Sequence, residues 1–307
     1  MALGVLNNLS AIYAENNLNN TSNSLQTVLQ QLSSGSRINS GADDAAGLSL
    51  VNGLGANSTA LTQSATNATE GVGLLEVADG ALSQVTSLLN RAVTLATEAS
   101  NGTLNSTQEA AANQEYQSIL AEISTIGSTT TYNQNQVFTG STTGVNIYTG
   151  DSSSTGASVD TLYFASLSSA SVGDAGGTVK YTAGTSTSAA TISYTAVASS
   201  SNQIDLKTTD LTSTADAELA LTSLNLAISS VAAQDGYIGA QINTLNSISQ
   251  VMTTQKDNVV SAQNAIQATD YASATSNMSK YEILSQTGIA ALAQANSVQQ
   301  EVTKLLQ

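Results

Sequence analysis

The chain has 307 residues, enough for about two domains, yet it contains no Cys, His, Pro or Trp. Without imidazole or thiolate there is no Ser-His-Asp triad, no Cys-His pair and no ordinary zinc or copper site, so neither an enzyme nor a cofactor is expected. Seven Lys plus Arg against twenty-two Asp plus Glu give a net charge of −15 at pH 7. That balance repels the phosphates of nucleic acid and of anionic lipid, so no nucleic-acid or membrane partner is expected.

The chain opens MALGVLNNLSAIYAENN, without a basic region, a continuous apolar core or a small-residue cleavage site. No apolar run approaches the roughly 18 residues of a membrane-spanning helix. Export would therefore follow a route that leaves the N-terminus uncut. Steps of three and four then link Ala11, Ala14, Leu18, Thr21, Leu25, Val28 and Leu32, the seam of a first amphipathic helix.

The stretch SSGSRINSGADDAAGLSL at 33–50 interrupts this helix with Gly35 and Gly41, which flank Arg37 and Asn39. Ser40 or Asp43 is placed to cap the next helix, and Asp43 and Asp44 stand where negative charge favours a helix N-terminus. As a metal or general-acid pair they are poorly arranged, because adjacent helical residues point about 100° apart, and no calcium-loop pattern surrounds them. The stretch is a structural joint, and Arg37, isolated in an acidic chain, is expected to pair with a carboxylate of its own subunit or a neighbour.

A second helix is expected over about 44–100, roughly 80 Å long. Leu54, Leu61, Ala68, Leu75, Leu82, Leu89 and Ala96 recur every seven residues, with Val51, Ala65, Val72 and Val93 in alternate steps. After Asn101-Gly102-Thr103 a shorter helix carries Ala112, Tyr116, Ile119, Ile123 and Ile126 on one face. From about 128 to 212 the chain turns Ser-, Thr- and Gly-rich, with alternating runs GVNIYTG, DTLYFAS, GTVKYTAG, ATISYTA and NQIDLKT. These read as short strands joined by polar turns, with a disordered polar linker as the alternative.

The last two helices follow. One seam takes Leu221, Leu224, Ile228, Val231, Asp235, Ile238, Ile242 and Leu245, then continues through Met252 and Val259 to Ile266. A break falls near 268–273. The second seam takes Tyr281, Leu284, Gly288, Ala291, Ala295, Val298, Val302 and Leu305. With almost no Phe, the core is expected to consist of Ala, Leu, Ile and Val, side chains that suit packed helices. One-sided seams at both ends cannot bury themselves alone. The expected fold is mainly α: a long antiparallel helical coiled-coil and bundle rod formed by both chain ends, with a small β-rich insertion.

RINSGADDAAGLSL closely resembles the N-terminal signature of bacterial flagellins. EASNGT is similar to the turn after that family's long first helix, and YNQNQVFTG to its entry into the β-hairpin region. AISSVAAQDGYIGAQINTLN and SQTGIAALAQANSVQQEVTKLLQ are similar to its C-terminal helices. The resemblance covers about 1–140 and 209–307. It implies an inner coiled-coil domain of 1–42 with 268–307, a helical bundle domain with a β-hairpin of 43–165 with 209–267, and a variable β-rich outer insertion of 166–208.

The resemblance further implies a structural subunit that polymerises into the extracellular flagellar filament, leaving the cell uncleaved through the flagellar type III apparatus. Its expected partners are copies of itself, the flagellar cap and junction proteins, and an export chaperone. Leu18, Leu25, Leu32, Leu284, Val298, Val302 and Leu305 would serve assembly, and Arg37, Asn39, Asp43 and Asp44 the joint. The family's animal immune receptor binds the exposed side of the long first helix; Arg91, Leu95 and Glu115 match that pattern, whereas Val93 and Thr94 lack its usual polar or basic residue and Glu. Weak receptor activation is expected. Alternatives are the hook–filament junction protein and a coiled-coil surface adhesin; the intact RINSGADDAAGL and the C-terminal match favour the filament subunit.

Overall fold

The computed structural model describes residues 8–140, 144–150, 159–169, 171–172, 178–182, 191–195 and 205–305. Among these, five helices dominate: α1 (Leu9–Ser34), α2 (Ala45–Ser100), α3 (Ser106–Thr129), α4 (Thr214–Gln267) and α5 (Tyr271–Leu305). The strands are β1 (Thr131–Tyr132), β2 (Asn135–Gln136), β3 (Val145–Tyr148), β4 (Val159–Leu162), β5 (Leu167–Ser168), β6 (Ser171–Val172), β7 (Thr178–Thr182) and β8 (Thr191–Thr195). Each pairs antiparallel with its sequence neighbour, giving four two-stranded sheets. The chain is mainly α with a small β-containing middle. It divides into two compact units, Met1–Ser58 with Asp257–Gln307, and Thr59–Lys256.

In the unit Thr59–Lys256, the seven-residue repeat of α2 becomes a core stripe. Leu61, Ala68, Leu75, Leu82, Leu89 and Ala96 are all buried. Their companions are Ser64, Gly71, Ala78, Val85, Ala92 and Ala99; Ser64, Gly71 and Ala92 each sit one position before Ala65, Val72 and Val93, which are only half-buried. On α4, Leu224, Val231, Ile238 and Leu245 are buried as the repeat requires, but Ala227, Gln234 and Gln241 accompany them. Asp235 points outward. A step of three or four satisfies the same period, so the repeat alone does not fix which of two adjacent residues faces the core.

α3 is set by a capping box. The Asn105 side chain accepts from the N–H groups of Thr107 and Gln108, and the Gln108 side chain accepts from the Asn105 N–H. Its face of Tyr116, Ile119, Leu120 and Ile123 closes the core against α2 and α4. Contrary to the purely aliphatic expectation, aromatic rings fill this core where the loops enter. Tyr116 and Tyr237 are fully buried, and Phe138 meets Phe164 edge to face at 6.3 Å and 85°.

β1 and β2 form a two-residue hairpin whose central Asn133 and Gln134 have φ of 49° and 66°, the left-handed pair that matches strand twist. β3, β4, β7 and β8 fall on four of the runs read as strands. The fifth differs. Of NQIDLKT, residues 202–204 lie outside the described residues; in the rest, the Asp205 carboxylate accepts the Lys207 N–H at 2.9 Å and turns the chain, while Leu206 is buried.

The β3–β4 hairpin docks on two helices. Ser64 donates to the Gly150 carbonyl, Asn67 donates to the Tyr148 carbonyl at 2.9 Å, and Ile147 and Leu245 pack over Gly71. Tyr237 accepts the Tyr163 N–H at 3.3 Å. Beneath the hairpin, Oδ2 of Asp160 is buried with no hydrogen-bond partner among the described residues. Burial raises its pKa above 3.8, offset in part by the Thr161 backbone amide. The folded state therefore favours the protonated acid: this contribution is complete below the unfolded pKa and is lost as pH rises through the folded value. Asp160→Asn is expected to raise the denaturant midpoint near neutral pH and to make little difference in acid, as read by unfolding at both pH values.

One expectation needs correction: α2 contains an 18-residue window of mean hydropathy 1.2, so by length and composition it could cross a membrane. Its repeat of buried positions instead makes it a bundle helix. Outward Ser and Thr hydroxyls on these helices turn back to the carbonyl four residues earlier, as in Thr66 to Thr62, Thr69 to Ala65 and Thr222 to Glu218.

Candidate assembly surface and joint

In the unit Met1–Ser58 with Asp257–Gln307, α1 and α5 run antiparallel and approach closely. Asn8 caps α1 by accepting the Ala11 N–H at 3.1 Å and also donates to the Ala295 carbonyl at 2.9 Å, fastening the start of α1 to α5. The α1 seam appears as read: Leu18, Leu25 and Leu32 are half-buried and Val28 is buried. Across from it, Gly288 receives Leu18, whose Cδ1 would lie 3.4 Å from an added Cβ.

On α5 the expected seam is half right. Tyr281, Gly288 and Ala295 are half-buried, but their companions are Met278, Ser285 and Leu292. Leu284 and Val298, expected inward, are 42% and 43% exposed. Val302 and Leu305 lie in the last turns of α5, where only the backbone is described. The covered face of α5 thus mixes the small Ser285, Gly288 and Ala295 with Met278, Tyr281 and Leu292, and Leu284 and Val298 turn outward. Leu9, Ile12, Tyr13 and Leu29 on α1, with Ile283, Leu284, Ile289 and Val298 on α5, are therefore exposed. A shallow groove of about 550 Å³ between Leu18, Thr21, Tyr281, Leu284, Gly288 and Ala291 adds to this surface.

The joint follows from its glycine. Gly35 ends α1 in the left-handed conformation, φ 69° and ψ 7°. A side chain there would also meet the Tyr271 hydroxyl. Beyond it, Ser36 bridges to Ala268, the Thr269 N–H donates to the Gly35 carbonyl at 3.1 Å, and the Arg37 N–H donates to the Gln267 carbonyl at 2.7 Å. Ile38 is buried beneath. Asn39 donates to the Ser36 carbonyl at 2.9 Å.

Among the described residues, the Arg37 guanidinium meets no carboxylate. Its Nη2 donates to the Ile266 carbonyl at 2.9 Å, at the C-terminal end of α4, where a cation complements the unsatisfied carbonyls. The two aspartates also separate. Asp43 Oδ2 accepts from the N–H groups of Asn39 at 3.0 Å and Ser40 at 2.8 Å, closing the turn, whereas Asp44 caps α2 by accepting the Gly47 N–H at 2.8 Å. Neither Ser40 nor Asp43 is the cap. Asp270 does the same for α5, accepting from Ala272 and Ser273; an acid just before YASATSNM is the sequence signal for this cap. Among the described residues no group of three metal-ligating side chains forms.

Those backbone hydrogen bonds at Ser40 and Asn39 lower the Asp43 pKa below 3.8. A depressed carboxylate stabilises above its unfolded pKa and loses that contribution as pH falls through the folded value. The Asn39 and Ser40 amides are expected to lose hydrogen-exchange protection, relative to the α2 amides, only once pH drops below 3.8.

In the other unit, Arg91 and Glu115 pair across α2 and α3, with Nη2 and Nε 2.6 and 2.7 Å from Oε1, and both are half-exposed. Leu95, expected on the same outward face, is only 3% exposed and belongs to the core. The repeat marks Ala96 alone as covered, but the core takes in Leu95 beside it as well.

Paired terminal helices joined by a hydrogen-bonded turn define the class, a helical structural subunit. The model of the bacterial flagellin N-terminal helical region matches residues 5–143, and that of the bacterial flagellin C-terminal helical region matches 221–306. The chain is 29% identical over 303 residues to a flagellin of Listeria monocytogenes, covering 97% of this chain and 98% of that one. It is 40% identical over 141 residues to the B-type flagellin of Pseudomonas aeruginosa, covering 46% of this chain and 29% of that one. The crystal structure of Bacillus cereus flagellin aligns at 25% identity with a TM-score of 0.44, over 64% of this chain and 94% of that one. The chain belongs to the bacterial flagellin family, whose members are structural subunits that polymerise with copies of themselves into the flagellar filament.

Proposed function

We propose that the α1–α5 pair is the surface through which copies of this chain assemble into an extracellular filament. The observation that carries this is the outward apolar set on both helices, Tyr13 at 62% and Ile283 at 61% exposure among them, a pattern that marks association surfaces. Leu18, Leu25 and Leu32 hold the pair together from inside, Leu284 and Val298 face the neighbour, and Val302 and Leu305 extend the same helix. The joint of Arg37, Asn39, Asp43 and Asp44 separates an inner domain of 1–42 and 268–307 from a bundle domain of 43–165 and 209–267, with 166–208 as the outer insertion. Monomer supplied with filament seeds or a precipitating salt grows helical filaments visible by electron microscopy, and chains lacking 1–35 or 275–307 do not. Monomers that persist under every seeding condition would refute the reading.

The cap and junction proteins at the filament ends, and an export chaperone before assembly, would engage the same apolar set. The chain activates the animal flagellin receptor weakly. Glu115 already holds Arg91, Leu95 is buried, and Val93 and Thr94 offer neither a cation nor an acid. Reporter-cell activation at the potency of a strongly recognised flagellin would contradict this.

A further inference from the structure

The chain contains two Asn-Gly dipeptides, Asn52-Gly53 and Asn101-Gly102. In this dipeptide no side chain shields the glycine nitrogen, which lies one bond beyond the asparagine carbonyl and within reach of the side-chain amide carbon. Attack of that nitrogen on the asparagine Cγ forms a five-membered succinimide. The Cγ–Nδ2 bond breaks and ammonia leaves, carrying the proton given up by the glycine amide. One water then opens the ring at either carbonyl, leaving aspartate or isoaspartate. No oxidant, metal or enzyme is required, only an exposed and conformationally free peptide unit.

The fold gives the two dipeptides opposite settings. Asn52 and Gly53 lie inside α2, where the Gly53 N–H belongs to the regular ladder of bonds to the carbonyl four residues earlier. The helical backbone holds that nitrogen away from the Asn52 side chain. Asn101 and Gly102 follow the last residue of α2, and both are exposed. Gly102 has φ +63°, a conformation that glycine enters without penalty. Its N–H makes no hydrogen bond among the described residues. A side chain there would meet nothing nearer than the Thr214 methyl at 3.6 Å, so the turn is open. The Asn101 side chain is held only by a long contact, Nδ2 to Thr103 Oγ1 at 3.4 Å.

We propose that Asn101 is a site of spontaneous deamidation in the folded chain, converting to aspartate and isoaspartate through a succinimide with Gly102, while Asn52 is protected by α2. The product puts a carboxylate just past the C-terminus of α2, close in sequence to Glu98, where the helix dipole disfavours negative charge. Isoaspartate also lengthens the main chain by one carbon in the turn between α2 and α3. The modification thus acts as a clock on each subunit, marking its age at a defined turn.

The full-length chain is held in mildly alkaline buffer, sampled over days, and cleaved after glutamate. Cuts at Glu98 and Glu109 release Ala99–Glu109, whose fragmentation separates Asn101 from Asn105. Isoaspartate is quantified with an isoaspartyl methyltransferase. In the native chain Asn101 should react at least about tenfold faster than Asn52, since each ~1.4 kcal/mol needed to open the helix slows Asn52 tenfold. In urea the two rates should converge, and Asn101→Gln should remove the signal from the peptide. Equal rates in the native chain, or an intact Asn101 while the urea-treated sample reacts, would overturn the proposal.

Discussion

Replacing Gly127 by alanine is expected to lower the melting temperature of the Thr59–Lys256 unit by about 4–8 °C, corresponding to a net loss of about 2 kcal/mol in a unit of this size. Gly127 is buried in α3, where the backbone of β5 crosses it; a Cβ there would overlap the Leu167 carbonyl oxygen. The obstacle is main chain, which cannot swing aside as a side-chain tip does. The Gly127 carbonyl also accepts from Gln136 at 3.0 Å, and neighbouring Ser124 accepts the Ser169 N–H at 2.7 Å, so a shift of either strand breaks further bonds. Overpacking of this kind costs about 3 kcal/mol, of which the better helix propensity of alanine returns about 1. Gly80 is the control: a Cβ there meets nothing, so Gly80→Ala should stabilise by up to about 1 kcal/mol. Identical melting of both variants would show that β5 does not lie against α3 as described.

The second large effect concerns assembly. Gly288→Leu should abolish filament growth in seeded assays while leaving the thermal transition of the Thr59–Lys256 unit unchanged. Leu18 occupies the space over Gly288, so a leucine must displace it and wedge α1 away from α5. The outward residues of the two helices then no longer form one surface. Gly288→Ala adds only a Cβ at 3.4 Å from the movable Leu18 Cδ1 and should assemble normally. Filaments of ordinary yield from the leucine variant would show that the α1–α5 pairing is dispensable for assembly.

Much of this was legible in the sequence because heptad repeats are strong signals in a chain without Pro and with few aromatic residues. The α1 seam from Ala11 to Leu32 and the α2 repeat from Leu61 to Ala96 occupy the covered faces as read. The α1 and α2 boundaries follow from Gly35 and the paired aspartates, although Asp44 rather than Asp43 is the cap. What the pattern left undecided is which neighbour accompanies each repeat position. Hydrophobicity and spacing place Leu284 and Val298 in the α5 seam, but Ser285 and Leu292 take the covered positions and Leu284 and Val298 face outward. Leu95 shows the converse, a residue read as surface that the bundle covers. Arg37 could not be resolved from sequence because its acceptor, the Ile266 carbonyl, is a backbone group supplied by a distant helix end.

The hydroxyls of Thr66, Thr69 and Thr222, folded back onto their own helices, have a consequence for crowding. A free surface hydroxyl is hydrated, and stripping that water without a replacement costs roughly 1–3 kcal/mol. A hydroxyl already satisfied by its own helix surrenders less when another molecule arrives. At these threonines such a helix presents its neighbours with less water to strip, although its composition is polar. In an assembly of identical parts, any dehydration penalty recurs with every added part. Self-satisfied threonines keep that recurring penalty small without presenting the greasy exterior that would precipitate the free chain.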